Sequence, residues 1–319
     1  RDFYGLAKLI KFTILFVIIT AILTLIASVI DPLFFRSIFS IGTKSIQAKY
    51  LSNKLGAAGY GYILGYTAII PLLIYFYKNN DLVNTRKSIL FLIITLFFFV
   101  IIRVQIFTNI MFVVIFILLA LVSAKKRTRT LVVVSVFFLI IIIIPNSTYI
   151  NFLNNLSEDL NNLSDVSYKL KEFAVYLEQG NDVGDKNAVA GRVERYPMLF
   201  KVFPKSPIFG CYFFTDYTGN GYKEEAAHLY WMNKLTVTGL SGFLLYFLII
   251  VFFLKNEIKN INKEYRYYFI LSILVILLYG LFKNIIGRET WYMFFVIIPG
   301  IYYLPLLNKR HDNLENINS

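Results

Sequence analysis

Arg192, Arg195, Glu224, Glu225 and His228 gather in one polar stretch, Gly191 to Gly242, of a chain that otherwise consists mostly of apolar runs. Proton transfer and anion binding are the chemistries these side chains could do. His228, one of two histidines, has an unperturbed pKa of about 6.5, near working pH, and a carboxylate one turn away at Glu224 or Glu225 could orient it as a general base. The bland alternative is a polar anchor at the mouth of a spanning helix.

Arg192 to Phe203 reads as a short helix, with Pro197 near its start, where a missing N–H is tolerated. Arg192, Arg195 and Glu194 then share its first turn. Orphan backbone N–H groups and a planar guanidinium fork suit phosphate oxygens. Equally, either arginine could pair with Glu194 or a nearby loop acid. Pro204, Pro207, Gly210, Gly219 and Gly221 make the following connection turn-rich, and its Tyr212, Phe213, Phe214, Tyr217 and Tyr222 could stack on sugar rings or anchor at a bilayer interface.

Two further features carry less. Asp182 and Asp185, spaced DxxD in a flexible linker, could hold a divalent cation, but a solvated turn accounts for them and no metal site is assigned. Cys211 is the sole cysteine, which excludes an internal disulfide and a cysteine-based metal cluster.

The elements that must position this stretch are membrane spans. Of 319 residues, 57% are hydrophobic and only 16% charged, at a mean hydropathy of +0.63, which is too apolar for a soluble domain. The net charge of +13 is scattered among loops and forms no nucleic-acid module, so anionic lipid headgroups or phosphorylated lipids are the fitting partners. Apolar windows long enough for a hydrocarbon core of about 30 Å predict eight spans, at 9–30, 59–77, 88–104, 107–124, 130–148, 236–254, 267–284 and 290–307. The nearly continuous run from Ser88 to Ala124 is divided into a hairpin by Arg103, Gln105 and Asn109.

With the N-terminal end inside, the cytoplasmic segments hold 16 lysines and arginines against 7 in the opposite short loops, which favours that orientation. Residues 149–235 then form one large extracytoplasmic loop, and 308–319 a cytoplasmic tail. Arg36, Arg103 and Arg288 fall on the disfavoured side, so they either snorkel to headgroups or line a site for an anion. Within the loop, Leu156, Leu160, Leu163, Leu170, Phe173 and Leu177 predict one amphipathic helix over 152–178, lying on the leaflet or capping the bundle. The sequons at Asn146, Asn155 and Asn162 are chance matches in an asparagine-rich stretch.

The pattern Gly191-Arg192-x-x-x-Tyr196, ending in Ser206-Pro207-Ile208-Phe209-Gly210 and followed by His228-x-Tyr230 and Gly239, resembles the O-antigen ligase and polymerase superfamily. Leu229 stands where that family often has asparagine, and Cys211-Tyr212 replaces a usual second glycine. The glycine-rich segment from Asn53 to Pro71 is similar to a helix start in such polymerases, and Arg103 falls near a family arginine, although Ile102 replaces the usual preceding serine. Spans of that family number ten or more, so eight leads to the expectation that N-terminal material is missing.

The resemblance implies an all-α polytopic membrane protein of the bacterial cytoplasmic membrane, working on its outer face. It implies a glycosyltransferase that uses undecaprenyl-diphosphate-linked oligosaccharide, with a chain-length regulator as a further partner and no cofactor. Arg192, Arg195, Arg103 and Arg288 are the expected diphosphate contacts, and His228, Glu224 or Glu225 the expected base. A polymerase adds the glycan to another lipid-linked repeat, whereas a ligase adds it to a lipid A core or a protein. The competing class is a flippase or other transporter, which would carry helix breaks and ionisable groups near the midplane.

Overall fold

The computed structural model describes residues 3–31, 56–57, 59–79, 86–122, 145–162, 164–179, 203–210, 229–283, 285 and 287–307. Among these residues all regular structure is helical: α1 (Phe3–Ile30), α2 (Tyr60–Lys78), α3 (Lys87–Val104), α4 (Phe107–Leu121), α5 (Asn146–Asp159), α6 (Ser164–Gln179), α7 (Tyr230–Asn260), α8 (Lys263–Phe282) and α9 (Arg288–Leu307). Six of them, α1, α2, α3, α7, α8 and α9, are long and apolar enough to cross a membrane, and α4 is a shorter apolar helix. This is the pattern of a multi-pass membrane protein. The predicted span at 130–148 lies outside the described residues except at its end, where Pro145 is extended and 146–148 already belong to α5.

The chain divides into two compact units, the first made of residues 1–125, 262–276 and 287–319 and the second of 126–261 and 277–286. In the first unit α2 is central and largely enclosed. Gly61 and Gly65 let it approach α9 closely, against Glu289, Thr290 and Met293, as small residues do at membrane helix crossings. Met293 also begins a π-helical turn, Met293–Ile297, whose buried side chains face the bundle. On α1, the buried Thr13, Thr20, Thr24 and Ser28 return their hydroxyls to carbonyls of the preceding turn, and Thr20 Oγ1 also bonds the Tyr66 hydroxyl at 2.9 Å. Tyr66 in turn stacks on Phe97 of α3.

The two ends of this unit are chemically different. At one end Lys78 Nζ donates to the carbonyls of Ala120 and Leu121 at 3.0 and 2.9 Å, and the Tyr267 hydroxyl donates to that of Leu119 at 2.7 Å. Three of the orphan carbonyls that any helix leaves at its C-terminus are thereby satisfied on α4. Tyr75, Tyr265, Tyr268 and Tyr302 cluster there as well, with ring centroids 4.4 to 5.1 Å apart. The opposite end carries Ser28, Gly61, Arg103 and Glu289. The α3–α4 hairpin expected between Arg103 and Asn109 is present: Gln105 adopts the left-handed conformation, φ 57°, and ends α3.

In the second unit the single amphipathic helix expected over 152–178 is two helices. α5 ends at Asp159, residues 160–162 form a turn, and α6 begins at Ser164. Asparagines at 161 and 162 favour a turn over a helix interior because their side chains compete for backbone hydrogen bonds. The two helices pack on each other through Leu153, Ser157, Val166, Ser167, Leu170 and Ala174, all buried. Ser157 and Ser167 each donate to the other's backbone carbonyl, at 3.0 and 2.8 Å. The buried Glu172 pairs with Lys169 on the same helix.

Candidate functional site

The polar stretch that suggested chemistry is described in two pieces, 203–210 and 229–242, and they meet. The first is a short 3-10 turn, Phe203–Lys205, continued by a tight turn in which Ser206 N donates to Phe203 O at 3.2 Å and Gly210 N to Ser206 O at 2.9 Å. The second is the start of α7, where Gly239 interrupts the helix at φ 65° and ψ −175°.

That break frees the N–H groups of Leu240 and Ser241 from the helical ladder. Both are taken up by the turn: Leu240 N donates to Pro207 O at 2.8 Å and Ser241 N to Ile208 O at 3.1 Å. The Ser241 hydroxyl adds a third bond to Ile208 O at 2.6 Å. In a hydrocarbon setting each unsatisfied N–H would cost several kcal/mol, so this capping makes a broken spanning helix tolerable. Gly210 also has positive φ, 77°. A side chain on Gly210 would collide with the backbone of Val237 and Gly239, and one on Gly239 with that of Ile208 and Gly210. Only two glycines allow the approach.

In a spanning helix a glycine such as Gly239 ordinarily marks close helix packing, and here it does something else. Gly239 is a break point whose partner is the Ser206–Gly210 turn, because its ψ of −175° is incompatible with a continuing helix. The first turns of α7 are fixed separately. Leu229, Tyr230 and Trp231 are buried, the Trp231 indole N–H donates to Leu277 O at 2.7 Å over Gly280, and the Tyr230 hydroxyl donates to that of Tyr246 at 2.9 Å. His228 immediately precedes this anchored segment. It lies outside the described residues, as do Arg192, Arg195, Glu224 and Glu225, and with them the Asp182–Asp185 pair and Cys211.

Arg103 and Arg288 belong to the first unit and to the same end of it. Arg103 Nη2 donates to the Ser28 carbonyl at 3.2 Å, so at least one donor of its guanidinium serves the last turn of α1, where a cation also complements the helix dipole. Arg288 is exposed as the first residue of α9. Beside it is a residue that sequence reasoning passed over. The Glu289 carboxylate is close enough to the helix starts that a side-chain carbon on Gly287 or Gly61 would fall 2.7 or 3.2 Å from its Oε2. One negative charge therefore serves the N-terminal turns of both α9 and α2. The available signal was an acid two residues after Gly287, at the start of an apolar run.

At the same end, Asn109 in the first turn of α4 is fully buried, and neither atom of its amide has a partner among the described residues. Nearer the Lys78 end, an apolar cavity of about 170 Å³ is lined by α1, α2, α3 and α9, among them Val17, Leu73, Phe97 and Ile301. Comparison with protein-family models, with curated proteins and with solved structures finds no match.

Proposed function

We propose that this chain is a polysaccharide polymerase that moves a glycan from a polyprenyl diphosphate carrier onto a lipid-linked repeat unit at the outer face of the cytoplasmic membrane. In the reaction, the acceptor hydroxyl oxygen attacks the anomeric carbon while the bond from that carbon to the diphosphate oxygen breaks. The hydroxyl proton passes to His228, Glu224 or Glu225, and the diphosphate leaves with the bonding electrons. Arg192 and Arg195, with Arg103 or Arg288, neutralise the leaving group, where negative charge develops in the transition state.

The observation that carries this reading is the clasp between the Pro207–Gly210 turn and the break at Gly239. The two separated blocks on which the family resemblance rests form one contact, so the loop bearing the arginine motif is tied to the helix that follows the histidine. Complementation of a deletion strain tests the assignment. Arg192→Ala and His228→Ala proteins, inserted at normal levels, are expected to leave single repeats unextended; polymer of normal length from either would refute it.

The broken helix also favours a second reading, a transporter of lipid-linked oligosaccharide, because transporter sites are built from discontinuous helices. Such sites lie near the midplane. Gly239 precedes Lys255 by 16 residues, about 24 Å of helix in a hydrocarbon core of about 30 Å, so the break is nearer the surface opposite Lys255 than the midplane, which suits an enzyme site open to that side. Elongation of a lipid-linked repeat by purified protein without an ion gradient separates the two readings.

A further inference from the structure

The apolar cavity of the first unit is elongated along its helices. It follows α3 from Leu90 to Phe97 and α9 from Ile297 to Leu304, about 10 Å in each case, with Ile14 of α1 and Leu73 of α2 on its other sides. Every side chain that lines it is a hydrocarbon. Leu73 and Phe97 are buried, whereas Ile14, Ile93 and Leu304 are only half-buried, so the cavity is a cleft whose rim reaches the surface of the bundle. An apolar cavity of this size takes an apolar guest rather than water. Left empty, it would forfeit dispersion contacts along all of its walls.

The depth of the cleft follows from α1, an uninterrupted helix from Phe3 to Ile30. From Phe12 to Ile30 it carries no charge, a length of about 28 Å that matches a hydrocarbon core, so Lys11 marks one boundary. α3 runs parallel to α1, since Arg103 in its last turn bonds Ser28 near the end of α1. Seventeen residues separate Lys11 from Ser28 and sixteen separate Lys87 from Arg103, which puts the two lysines at one level. Lys11 is three residues before Ile14, and Lys87 three before Leu90. On each helix the lysine therefore shares a face with the cleft and stands about 4 to 5 Å nearer the membrane surface.

These cations have no competing acid. Lys11, Arg86 and Lys87 are exposed, and none forms an ion pair among the described residues. No side chain caps the start of α3, which leaves its first N–H groups to an anion. Lys78 at the same end is occupied differently, by the carbonyls of Ala120 and Leu121.

We infer that the cleft holds one acyl chain of an anionic phospholipid whose phosphate is bound by Lys11, Arg86 and Lys87. The cleft alone would accept a chain of any lipid, and the cations one turn beyond it select the charge, as basic pockets between spanning helices do. In the orientation expected from the distribution of lysine and arginine, this is the cytoplasmic leaflet, opposite the face proposed for glycan transfer. The lipid is then a resident ligand and not the glycan carrier, and the inference stands apart from the reaction.

Photo-crosslinking of the full chain tests it. The protein is reconstituted into vesicles of phosphatidylcholine that contain a small fraction of phosphatidylglycerol or phosphatidylcholine with a diazirine in one acyl chain, and adducts are mapped by mass spectrometry. Phosphatidylglycerol adducts at Ile14, Ile93 and Leu304 are expected to exceed phosphatidylcholine adducts severalfold, whereas both lipids label the exposed Phe252 of α7 alike. The double variant Lys11→Gln/Lys87→Gln should bring phosphatidylglycerol down to the phosphatidylcholine level. Ile93→Trp, which fills the cleft from its rim, should remove adducts at Ile14 and Leu304, and unchanged labelling of Phe252 reports that each variant is inserted. Equal labelling by the two lipids, or a preference that survives the double variant, would overturn the inference. Labelling no higher than at Phe252 would overturn it by placing protein in the cleft. Displacement of the label by an equal amount of undecaprenyl phosphate would overturn it by assigning the cleft to the carrier.

Discussion

Gly210 and Gly239 meet backbone to backbone, both at positive φ, 77° and 65°, with 28 intervening residues in the sequence. Neither is a generic flexible glycine, since a side-chain carbon on either would fall 2.4 or 2.5 Å from the backbone nitrogen of the other.

Gly210→Ala and Gly239→Ala each force a side chain into left-handed backbone and into a neighbouring peptide. Left-handed geometry alone costs about 1 to 3 kcal/mol at a non-glycine residue. A clear drop in melting temperature in detergent is expected for either variant. The double variant should lose less than the two drops combined, because both substitutions open one contact. Strict additivity would mean that the glycines act independently.

Ser241→Ala removes one of the three bonds that hold the turn but keeps the backbone pair. The expected loss is about 0.5 to 1.5 kcal/mol, well below that of either glycine variant. Thermal unfolding followed by size-exclusion fluorescence gives the order, and a Ser241→Ala protein less stable than Gly239→Ala would contradict it.

Asn109 is buried, and its amide has no partner among the described residues, a burden of about 1 to 3 kcal/mol for a packed interior. If its role is only to shape the hairpin, Asn109→Leu raises the melting temperature and polymer length in cells is unchanged. Stabilisation together with loss of polymer would instead assign the amide to a ligand.

Arg103 has a structural partner, the Ser28 carbonyl, which favours Arg288 over it as the arginine that joins Arg192 and Arg195 at the leaving group. Arg103→Ala is therefore expected to lower the melting temperature more than it lowers activity per folded molecule. Arg192→Ala is expected to show the reverse. In vitro elongation rates normalised to monodisperse protein measure both, and equal losses of rate would show that the two arginines share the leaving group.

How far the sequence was legible differs between these features. The six long apolar helices among the described residues could be read because a helix in hydrocarbon must present an apolar surface over a fixed length, and the hairpin at Gln105 because polar residues interrupt an apolar run. The break at Gly239 could not. Within α7, a glycine between Thr238 and Leu240 has the signature of close helix packing, and its true partner lies some thirty residues upstream in a turn whose docking leaves no local periodicity. The α5–α6 division was hidden for a related reason: leucine spacing continues in phase across the turn, so a pattern of side chains imitated a continuous backbone. Glu289 was overlooked because its significance comes from Gly61, more than two hundred residues away, through contact alone.

The C-terminal end of α4 has a consequence for the order of synthesis. α4 has only 15 residues, and its last carbonyls are held by Lys78, made before it, and by Tyr267, made 148 residues after Leu119. When α4 first leaves the ribosome its closing bond to Tyr267 does not exist, and that carbonyl must rely on water or lipid headgroups until α8 arrives. A nascent chain stopped before Tyr267 would hold α4 by its Lys78 contacts alone, and completion of α8 would be the event that fixes the hairpin in place.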